Sequence, residues 1–223
     1  MGEIRIVSTE PRPFEDRAQA ARALAEELSE LRGQNPAILG IPRGAVPMAA
    51  IIADRLDGDV DVVIVRKLRA PMHPEFAIGS MAEDGHALVN EDVVRRLGIS
   101  AGYLEREKRE QLQQIEERKR RYRSVRSKLP LRDRVVVIVD DGFATGATMQ
   151  AALWSARREE ARKLIAAAPV GAQEAVRDLA DHADEVVCLR APAHFGAVGA
   201  FYLRFDQVSD EEVVEVLRRA AAR

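Results

Sequence analysis

The sequence lacks the residues from which several kinds of site are built. Among its 223 residues there is one cysteine, Cys188, and there are four histidines. A single cysteine excludes a disulfide framework, a CxxC redox pair and a zinc site made of thiolates. The histidines show neither HxH nor HExxH spacing, so we expect no metal bound by histidine. The scarcity of cysteine favours a reducing compartment, and we predict a cytoplasmic protein.

The sequence also lacks long apolar runs and an excess of either charge. No apolar run approaches the ~18 residues that a membrane-spanning helix needs. The segment that begins Met1-Gly2-Glu3 has no apolar core of a signal peptide. Lysine and arginine total 34 against 36 aspartates and glutamates, a net charge of −2. Because a surface that binds nucleic acid usually carries a basic excess, we expect neither a nucleic acid nor a membrane as partner.

The sequence does contain the alternation of apolar strands and helices that is typical of an α/β protein. Hydrophobic residues make up 47% of the chain, which is enough to build a core. The apolar patterns predict strands at 37–41, 60–65, 135–139, 163–168 and 185–189, and helices at 14–32, 45–56, 147–160, 172–181 and 210–221. This order predicts an α/β fold with a doubly wound, mostly parallel sheet, formed by residues 1–223 as a single domain.

Residues 68–130 interrupt this alternation and are predicted to form an insertion. Asp84-Gly85 between two short apolar runs indicates a β-hairpin, and a long charged helix follows at 101–127. Between residues 105 and 128 the chain holds ten basic and five acidic residues. Such a pattern is typical of a solvated helix stabilised by pairs of opposite charge one turn apart. A mobile flap over a binding site is the alternative that the sequence leaves open.

The chemistry of the sequence is concentrated after the predicted strand at 135–139. Asp140 and Asp141 follow that strand directly, and residues 145–148 then open a helix. Ligands of open α/β sheets bind beyond the carboxyl ends of the strands. Carboxylates there can accept hydrogen bonds from sugar hydroxyls, and the free N–H groups of a helix N-terminus can bind a phosphate. The two features together predict a sugar phosphate as ligand.

The run from Val136 to Thr148 resembles the phosphoribosyl diphosphate (PRPP) motif of the type I phosphoribosyltransferases. It has four apolar strand residues, two acids, two variable residues and a small-Thr-Gly-small-Thr turn. The resemblance implies that Asp140 and Asp141 bind the ribose hydroxyls and that the turn binds the 5′-phosphate. The residues of this turn are Ala144, Thr145, Gly146, Ala147 and Thr148.

Two further segments carry the resemblance. In the family, the loop after the first core strand binds pyrophosphate through backbone amides, often beside a strained peptide bond, and here that loop is Pro42-Arg43-Gly44. The end of the next strand commonly supplies a cation to the same phosphates, and Arg66 and Lys67 stand there. More widely, the chain is similar to a bacterial group of uncharacterised phosphoribosyltransferases. The shared landmarks are Arg66-Lys67-Leu68, Pro74-Glu75-Phe76 and Ala197-Val198-Gly199.

The resemblance implies transfer of phosphoribose from PRPP to a small nitrogenous acceptor, with release of pyrophosphate. We expect Mg²⁺ as cofactor, held mostly by substrate and water, and no protein side chain as its direct ligand. The protein then aligns the reactants and stabilises the leaving group electrostatically. The catalytic residues expected on this basis are Asp140, Asp141, Arg43 and Lys67.

Two departures from the family pattern bear on the acceptor. Family members that use 6-oxopurines carry an acid where this chain has Ala144, so we expect an acceptor other than hypoxanthine or guanine. Gly142 stands where the family usually has a larger apolar residue, which bears on the shape of the ribose pocket. The acceptor normally docks under a variable hood, which we expect from residues 1–20, 190–206 or both.

Two other functions stay open on the sequence alone. One is a regulator that senses PRPP or a nucleotide on the same fold without useful turnover. The other is a serine hydrolase, because Gly98-Ile99-Ser100-Ala101-Gly102 matches the GxSxG nucleophile elbow. That elbow must follow a buried strand, whereas the residues before Ser100 are charged and helical in pattern, which favours Ser100 as a helix cap. The oligomeric state also stays open, a homodimer being one option.

Overall fold

A computed structural model describes residues 1–73 and 76–222. Pro74 and Glu75, two landmarks of the resemblance, lie outside the described residues. The strands are β1 (Glu3–Ser8), β2 (Ala37–Gly40), β3 (Asp59–Val62), β4 (Val65–Arg69), β5 (Ala77–Ala82), β6 (Ala87–Val89), β7 (Val135–Val139), β8 (Lys163–Val170) and β9 (Glu185–Arg190). The helices are α1 (Arg17–Glu27), α2 (Ala45–Leu56), α3 (Glu91–Arg96), α4 (Ala101–Arg123), α5 (Ala147–Arg157), α6 (Gln173–Leu179) and α7 (Asp210–Ala221).

The main sheet has six strands in the order β1-β9-β8-β7-β2-β3, and all neighbours are parallel. Alternate residues of β7 point to opposite faces, so Val137 packs with α1 and α2 while Ile138 packs with α5 and α6. Both faces of the sheet are therefore covered by helices. The predicted doubly wound α/β fold is confirmed, and it places the end of β7 near the middle of the sheet's carboxyl edge.

One strand of this sheet has no counterpart in the sequence prediction. β1 lies parallel to β9 at the edge of the sheet, and Arg5 on β1 donates a hydrogen bond to Glu185 on β9 (Nε to Oε1, 3.1 Å). Ile4 and Ile6 alternate with Glu3 and Arg5 over only four residues, too few to define a strand, and Ile6 and Val7 are 37% and 50% exposed. The periodicity of residues 3–8 therefore gave no strand signal.

The strand predicted at 60–65 is wrong in its extent. The main sheet ends at Val62, and β4 begins at Val65 in a separate three-stranded antiparallel sheet with order β4-β5-β6. Val63 and Ile64, which connect the two sheets, are buried. An apolar run that is buried throughout hides the point where the chain changes sheet, so composition alone could not locate it.

The antiparallel sheet packs with α3 and α4 in the region where the insertion was expected. Gly85 has φ +81° in the turn between β5 and β6, as the Asp84-Gly85 signal requires. Asn90 caps α3, and Ser100 caps α4 by accepting a hydrogen bond from the N–H of Tyr103 at 3.2 Å. The predicted hairpin is thus extended by a third strand, β4.

A buried charge cluster fastens this inserted unit to the main sheet. Arg123, at the end of α4, donates to Asp61 on β3 (Nη1 to Oδ1, 2.7 Å) and to Glu83 after β5 (Nη2 to Oε2, 2.8 Å). The Asp61 side chain is 1% exposed and also accepts from the backbone N–H of Leu129. The cluster therefore ties three segments together where water is excluded.

In the part of the chain that the structure describes, no helix has both the length and the apolar character to cross a bilayer. The cytoplasmic location stays a prediction.

Candidate active site

The acidic pair lies at the carboxyl end of β7. The N–H of Asp140 bonds the carbonyl of Ala167 on β8 (3.1 Å), so the backbone is still held by the sheet at this point. The N–H of Asp141 bonds the Asp140 side chain (2.9 Å). Burial raises the pKa of Asp140 well above its usual range, and the neighbouring Asp141 carboxylate raises it further. A carboxyl in this position is stabilised in its charged form by a hydrogen-bond donor or a cation from a ligand.

The turn after the acidic pair opens α5 without a side-chain cap. Gly146 precedes the helix with φ +72°, in the left-handed region that favours glycine. Ala144 and Thr145 are exposed, so the mouth of the turn is accessible. The first N–H groups of an uncapped helix lack intrahelical acceptors, and they carry the positive end of the helix dipole. The turn can therefore bind an anion, as the sequence predicted.

Gly142 is explained by the packing of a distant segment. A Cβ at this position would lie 2.7 Å from both methyl groups of Val198, and 2.9 Å from a methyl group of Val170 on β8. Val198, one of the landmark residues, thus fills the space where the family usually has a larger residue. The departure at Gly142 is a local exchange of apolar volume between two segments of the chain.

The loop after β2 reaches the acidic pair from the neighbouring strand. The Pro42–Arg43 peptide bond is cis, and Gly44 follows it. A Cβ on Gly44 would lie 2.3 Å from Oδ2 of Asp141, so only glycine allows this approach. The Arg43 guanidinium extends toward α7, where its Nη1 lies 3.7 Å from Oδ2 of Asp210. The loop backbone and the Arg43 side chain therefore face different surroundings.

A cavity of about 270 Å³ brings five of the predicted site residues together: Pro42, Arg66, Lys67, Asp140 and Thr148. It is lined by Ile41, Pro42, Val65, Arg66, Lys67, Arg69, Gln111, Arg118, Asp140 and Thr148. One side comes from the parallel sheet and its loops, and we call Pro42, Asp140 and Thr148 the sheet wall. The other side comes from β4 and α4, and we call Arg66, Lys67, Gln111 and Arg118 the insertion wall. The fold thus places a carboxylate and the start of α5 opposite cations.

The insertion wall carries concentrated positive charge. Arg66 donates to Gln111 (Nε to Oε1, 3.0 Å) and to Gln114 (Nη2 to Oε1, 2.5 Å). Burial lowers the pKa of Arg66, and the nearby Arg118 and Arg69 lower it further. The neutral amides orient the Arg66 guanidinium without cancelling its charge. An anion in the cavity would relieve the repulsion among these cations.

Sequence reasoning missed Arg17, which the structure brings to the acidic pair. Its Nη2 lies 2.9 Å and its Nε 3.2 Å from Oδ2 of Asp141. Its Nη1 donates to the carbonyl of Asp206 at 2.7 Å, and its guanidinium lies over the Phe205 ring, 3.8 Å from the centroid. A cation in the first turn of a helix is unfavourable beside the positive end of the dipole, and that misplacement was the available signal of a nearby acid.

The segments expected to form the hood meet beside Asp141. Phe14 pairs with Tyr202 in an isolated bridge, and the Tyr202 hydroxyl donates to the backbone carbonyl of Asp141 at 2.7 Å. Tyr202 is buried and stacks on Phe205 at 4.9 Å between ring centroids. Phe195 stacks on Phe201 at 5.2 Å. Tyr202 and Phe195 therefore pack against other aromatic rings of these hood segments. The role of the hood in binding an acceptor stays a prediction.

The nucleophile elbow suggested for Ser100 has no support in the fold. Ser100 follows α3 and caps α4, so the buried strand that must precede a nucleophile elbow is absent from this point of the chain.

The 105–128 segment differs from a uniformly solvated helix. Glu107, Gln111, Ile115 and Tyr122 of α4 are buried, and Gln111 and Arg118 line the cavity.

Comparisons with known proteins agree with this arrangement. Residues 14–206 match the family model described as "Phosphoribosyl transferase domain". Two Mycobacterium tuberculosis proteins, named "Putative phosphoribosyl transferase Rv0571c" and "Putative phosphoribosyl transferase MT0597", are each 46% identical over 207 residues. The match covers 93% of this chain and 47% of each relative, so the chain spans about half their length. The crystal structure of TT1426 from Thermus thermophilus has 45% sequence identity and a TM-score of 0.86, over 93% of this chain and 98% of that one.

Proposed function

Because the chain belongs to the phosphoribosyl transferase domain family, we propose that it binds PRPP with Mg²⁺ and transfers phosphoribose to a nitrogenous acceptor. The observation that carries this proposal is the cavity between the two walls. It combines an acidic residue of the motif, a helix N-terminus and cations within about 270 Å³. A sugar that bears a monophosphate at one end and a diphosphate at the other requires these three kinds of group.

The roles follow from the positions of the residues. Asp140 and Asp141 accept hydrogen bonds from the ribose hydroxyls. Residues 144–148 bind the 5′-phosphate through the N–H groups at the start of α5. The backbone of Pro42-Arg43-Gly44 and the side chains of Arg66 and Lys67 bind the diphosphate. Arg43 is assigned here through its backbone, because its guanidinium pairs with Asp210.

The reaction is a substitution at the anomeric carbon of the ribose. The bond from this carbon to the diphosphate oxygen breaks, and its electron pair leaves with pyrophosphate. A nitrogen lone pair of the acceptor forms the new bond, and a proton on that nitrogen is lost to water. Negative charge grows on the leaving oxygen, and Lys67 and Arg66 stabilise it. The sheet wall fixes the ribose so that the two reactants stay aligned.

The donor set fits a magnesium ion carried by the substrate. Among the described residues no three acidic, histidine or cysteine side chains converge as a metal cage. The carboxylates of the acidic pair are hard oxygen ligands beside the proposed diphosphate site, and Mg²⁺ usually combines few carboxylates with phosphates and water. When bound, Mg²⁺ would neutralise charge on the diphosphate. Asp140 and Asp141 are the residues that would hold it, through water ligands of the ion.

The acceptor is proposed to be other than a 6-oxopurine. Ala144 is exposed at the mouth of the turn and can neither accept nor donate a proton through its side chain. Family members that use hypoxanthine or guanine have an acid at this position, and this chain lacks that acid. Family members that use adenine-type or orotate-type acceptors tolerate a small residue at this position, so the site is compatible with acceptors of these two types.

A pyrophosphate-release assay with PRPP, Mg²⁺ and a panel of nitrogenous bases tests the activity. We expect release that depends on the base and that is weaker with hypoxanthine and guanine than with the preferred acceptor. Asp141→Asn should lower the rate, while Asp84→Asn, an exposed change in the β5–β6 turn, should leave it unchanged. PRPP binding without base-dependent release from any member of the panel would contradict the enzyme and favour the PRPP-sensing regulator.

A further inference from the structure

The long helix α4 forms part of the cavity wall opposite Asp140 and Thr148. Gln111 and Arg118 both line the cavity and stand seven residues apart, so they share one face of the helix over two turns. The helix is fixed at its start by the Tyr103 hydroxyl, which donates to the carbonyl of Arg69 at 3.0 Å. At its end Arg123 holds it to Asp61 and Glu83. Contacts within the protein therefore hold this wall in place.

Arg118 lines the cavity and has no anionic partner among the described residues. Within residues 1–73 and 76–222, its guanidinium makes no hydrogen bond and no ion pair, although the residue is half-buried. On the same helix Arg121 pairs with Asp210 at 3.1 Å and Arg123 with Asp61 at 2.7 Å. The Arg118 guanidinium is accessible from the cavity, so the oxygen atoms of an anionic ligand there can accept charge-assisted hydrogen bonds from it.

Arg66 presents the same condition from β4. In the described part of the chain its hydrogen-bond partners are the neutral amides of Gln111 and Gln114. Its neighbour Arg69 differs, because Glu107 binds that guanidinium through both carboxylate oxygens (2.7 and 2.9 Å). Arg118 lowers the pKa of Arg66, which places the two charges within interaction range. Glu107 lies within electrostatic range of Arg66 but is bound to Arg69. Two cations that share a cavity and make no ion pair with a described residue form a site for a multiply charged anion.

We propose that Arg118, together with Arg66, binds the outer phosphate of the PRPP diphosphate. Arg118 is an additional substrate-binding residue, and the inserted helix α4 supplies it. The inference rests on the proposed function for the identity of the ligand. It goes beyond that function, because it makes α4 part of the leaving-group site. The negative charge that develops on pyrophosphate then meets a guanidinium on a helix that Tyr103 and Arg123 hold in place.

Calorimetric titration with inorganic pyrophosphate and Mg²⁺ tests this assignment. Arg118→Gln should weaken pyrophosphate binding at least about tenfold, because a charged hydrogen bond is lost. Arg118→Lys, which keeps the charge and loses the planar fork, should fall between the wild type and Arg118→Gln. Arg120→Gln is the matched control, since Arg120 is an exposed arginine of the same helix. Ribose 5-phosphate, which lacks the diphosphate, should bind the wild type and Arg118→Gln equally.

The outcomes separate this inference from the proposed function. Equal pyrophosphate affinities for wild type and Arg118→Gln would overturn the role of Arg118, and so would equal losses in Arg118→Gln and Arg120→Gln. If wild type and Arg118→Gln bound pyrophosphate equally and PRPP still bound tightly, the proposed function would stand without Arg118. If the wild type bound pyrophosphate through Arg118 but did not bind PRPP, the anion site would stand and the proposed function would fail. Absence of pyrophosphate binding to the wild type would overturn the inference.

Discussion

The two walls of the cavity differ in whether their charged side chains are paired within the protein. Around the sheet wall, the charges are paired within the protein: Asp141 holds Arg17 at 2.9 Å, and Arg43 lies 3.7 Å from Asp210. On the insertion wall, Arg66 meets neutral amides, and Arg118 has no partner among the described residues. A carboxylate that is already paired with an arginine can still accept hydrogen bonds from the hydroxyls of a sugar. On the proposed function a diphosphate brings several charges of its own, and Arg66 and Arg118, which make no ion pair with a described residue, are the cations that would meet it.

The walls also differ in how they are built. The sheet wall follows from the parallel strands β2 and β7, whose carboxyl ends lie side by side in register. The insertion wall belongs to a separate antiparallel sheet and its helix, so its position depends on how this unit is fastened to the core. Arg123 provides that fastening through Asp61 and Glu83. Two kinds of substitution therefore test the comparison. One removes the contacts of Arg123, and the other disturbs the approach of Gly44 to Asp141.

The largest expected effect comes from removing the fastening. Arg123→Met leaves the Asp61 carboxylate buried and without its cation, which typically costs about 3–5 kcal/mol in the free energy of unfolding. Urea denaturation followed by circular dichroism measures this cost. The control is Arg95→Ala, which removes an exposed pair with Asp92 and should change stability by less than about 1 kcal/mol. A cost for Arg123→Met as small as that of the control would show that the inserted unit is held by other contacts.

A smaller effect is expected where the 41–45 loop meets the acidic pair. In Gly44→Ala the new methyl group would lie 2.3 Å from Oδ2 of Asp141, so the loop or the carboxylate must move. We expect PRPP affinity to fall about 100-fold, equivalent to about 2.7 kcal/mol, as measured by calorimetry. Gly196→Ala is the matched control, because a Cβ there has no neighbour within 4 Å in the described structure. Full affinity in Gly44→Ala would contradict a role in PRPP binding for the close contact between this loop and Asp141.

The sheet wall could be predicted from the sequence because its signals are local. The apolar run at 135–139, the acids that follow it and the turn at 145–148 occur in one uninterrupted segment, and the fold fixes where such a segment lies. The strand order then brings Gly44 to the same edge. Local pattern and global topology agree at this point, which is why the predicted residues meet in the structure.

The insertion wall could be predicted only in part. Arg66 and Lys67 followed from their place after an apolar run, although the run itself spans two sheets. Arg118 could not be singled out, since α4 contains many basic residues and only the docking of the helix decides which one enters the cavity. Arg17 was missed for a related reason: its partner Asp141 is 124 residues away in sequence. Contacts between distant segments leave little trace in local pattern.

Binding of PRPP in this cavity is the central claim, and calorimetric titration of the protein with PRPP in the presence of Mg²⁺ tests it most directly. The account predicts saturable binding by the wild type, at least about tenfold weaker binding by Asp140→Asn because a charged acceptor of hydrogen bonds is lost, and unchanged binding by the exposed control Asp84→Asn. Absence of PRPP binding by the wild type, or equal affinity in Asp140→Asn, would contradict it.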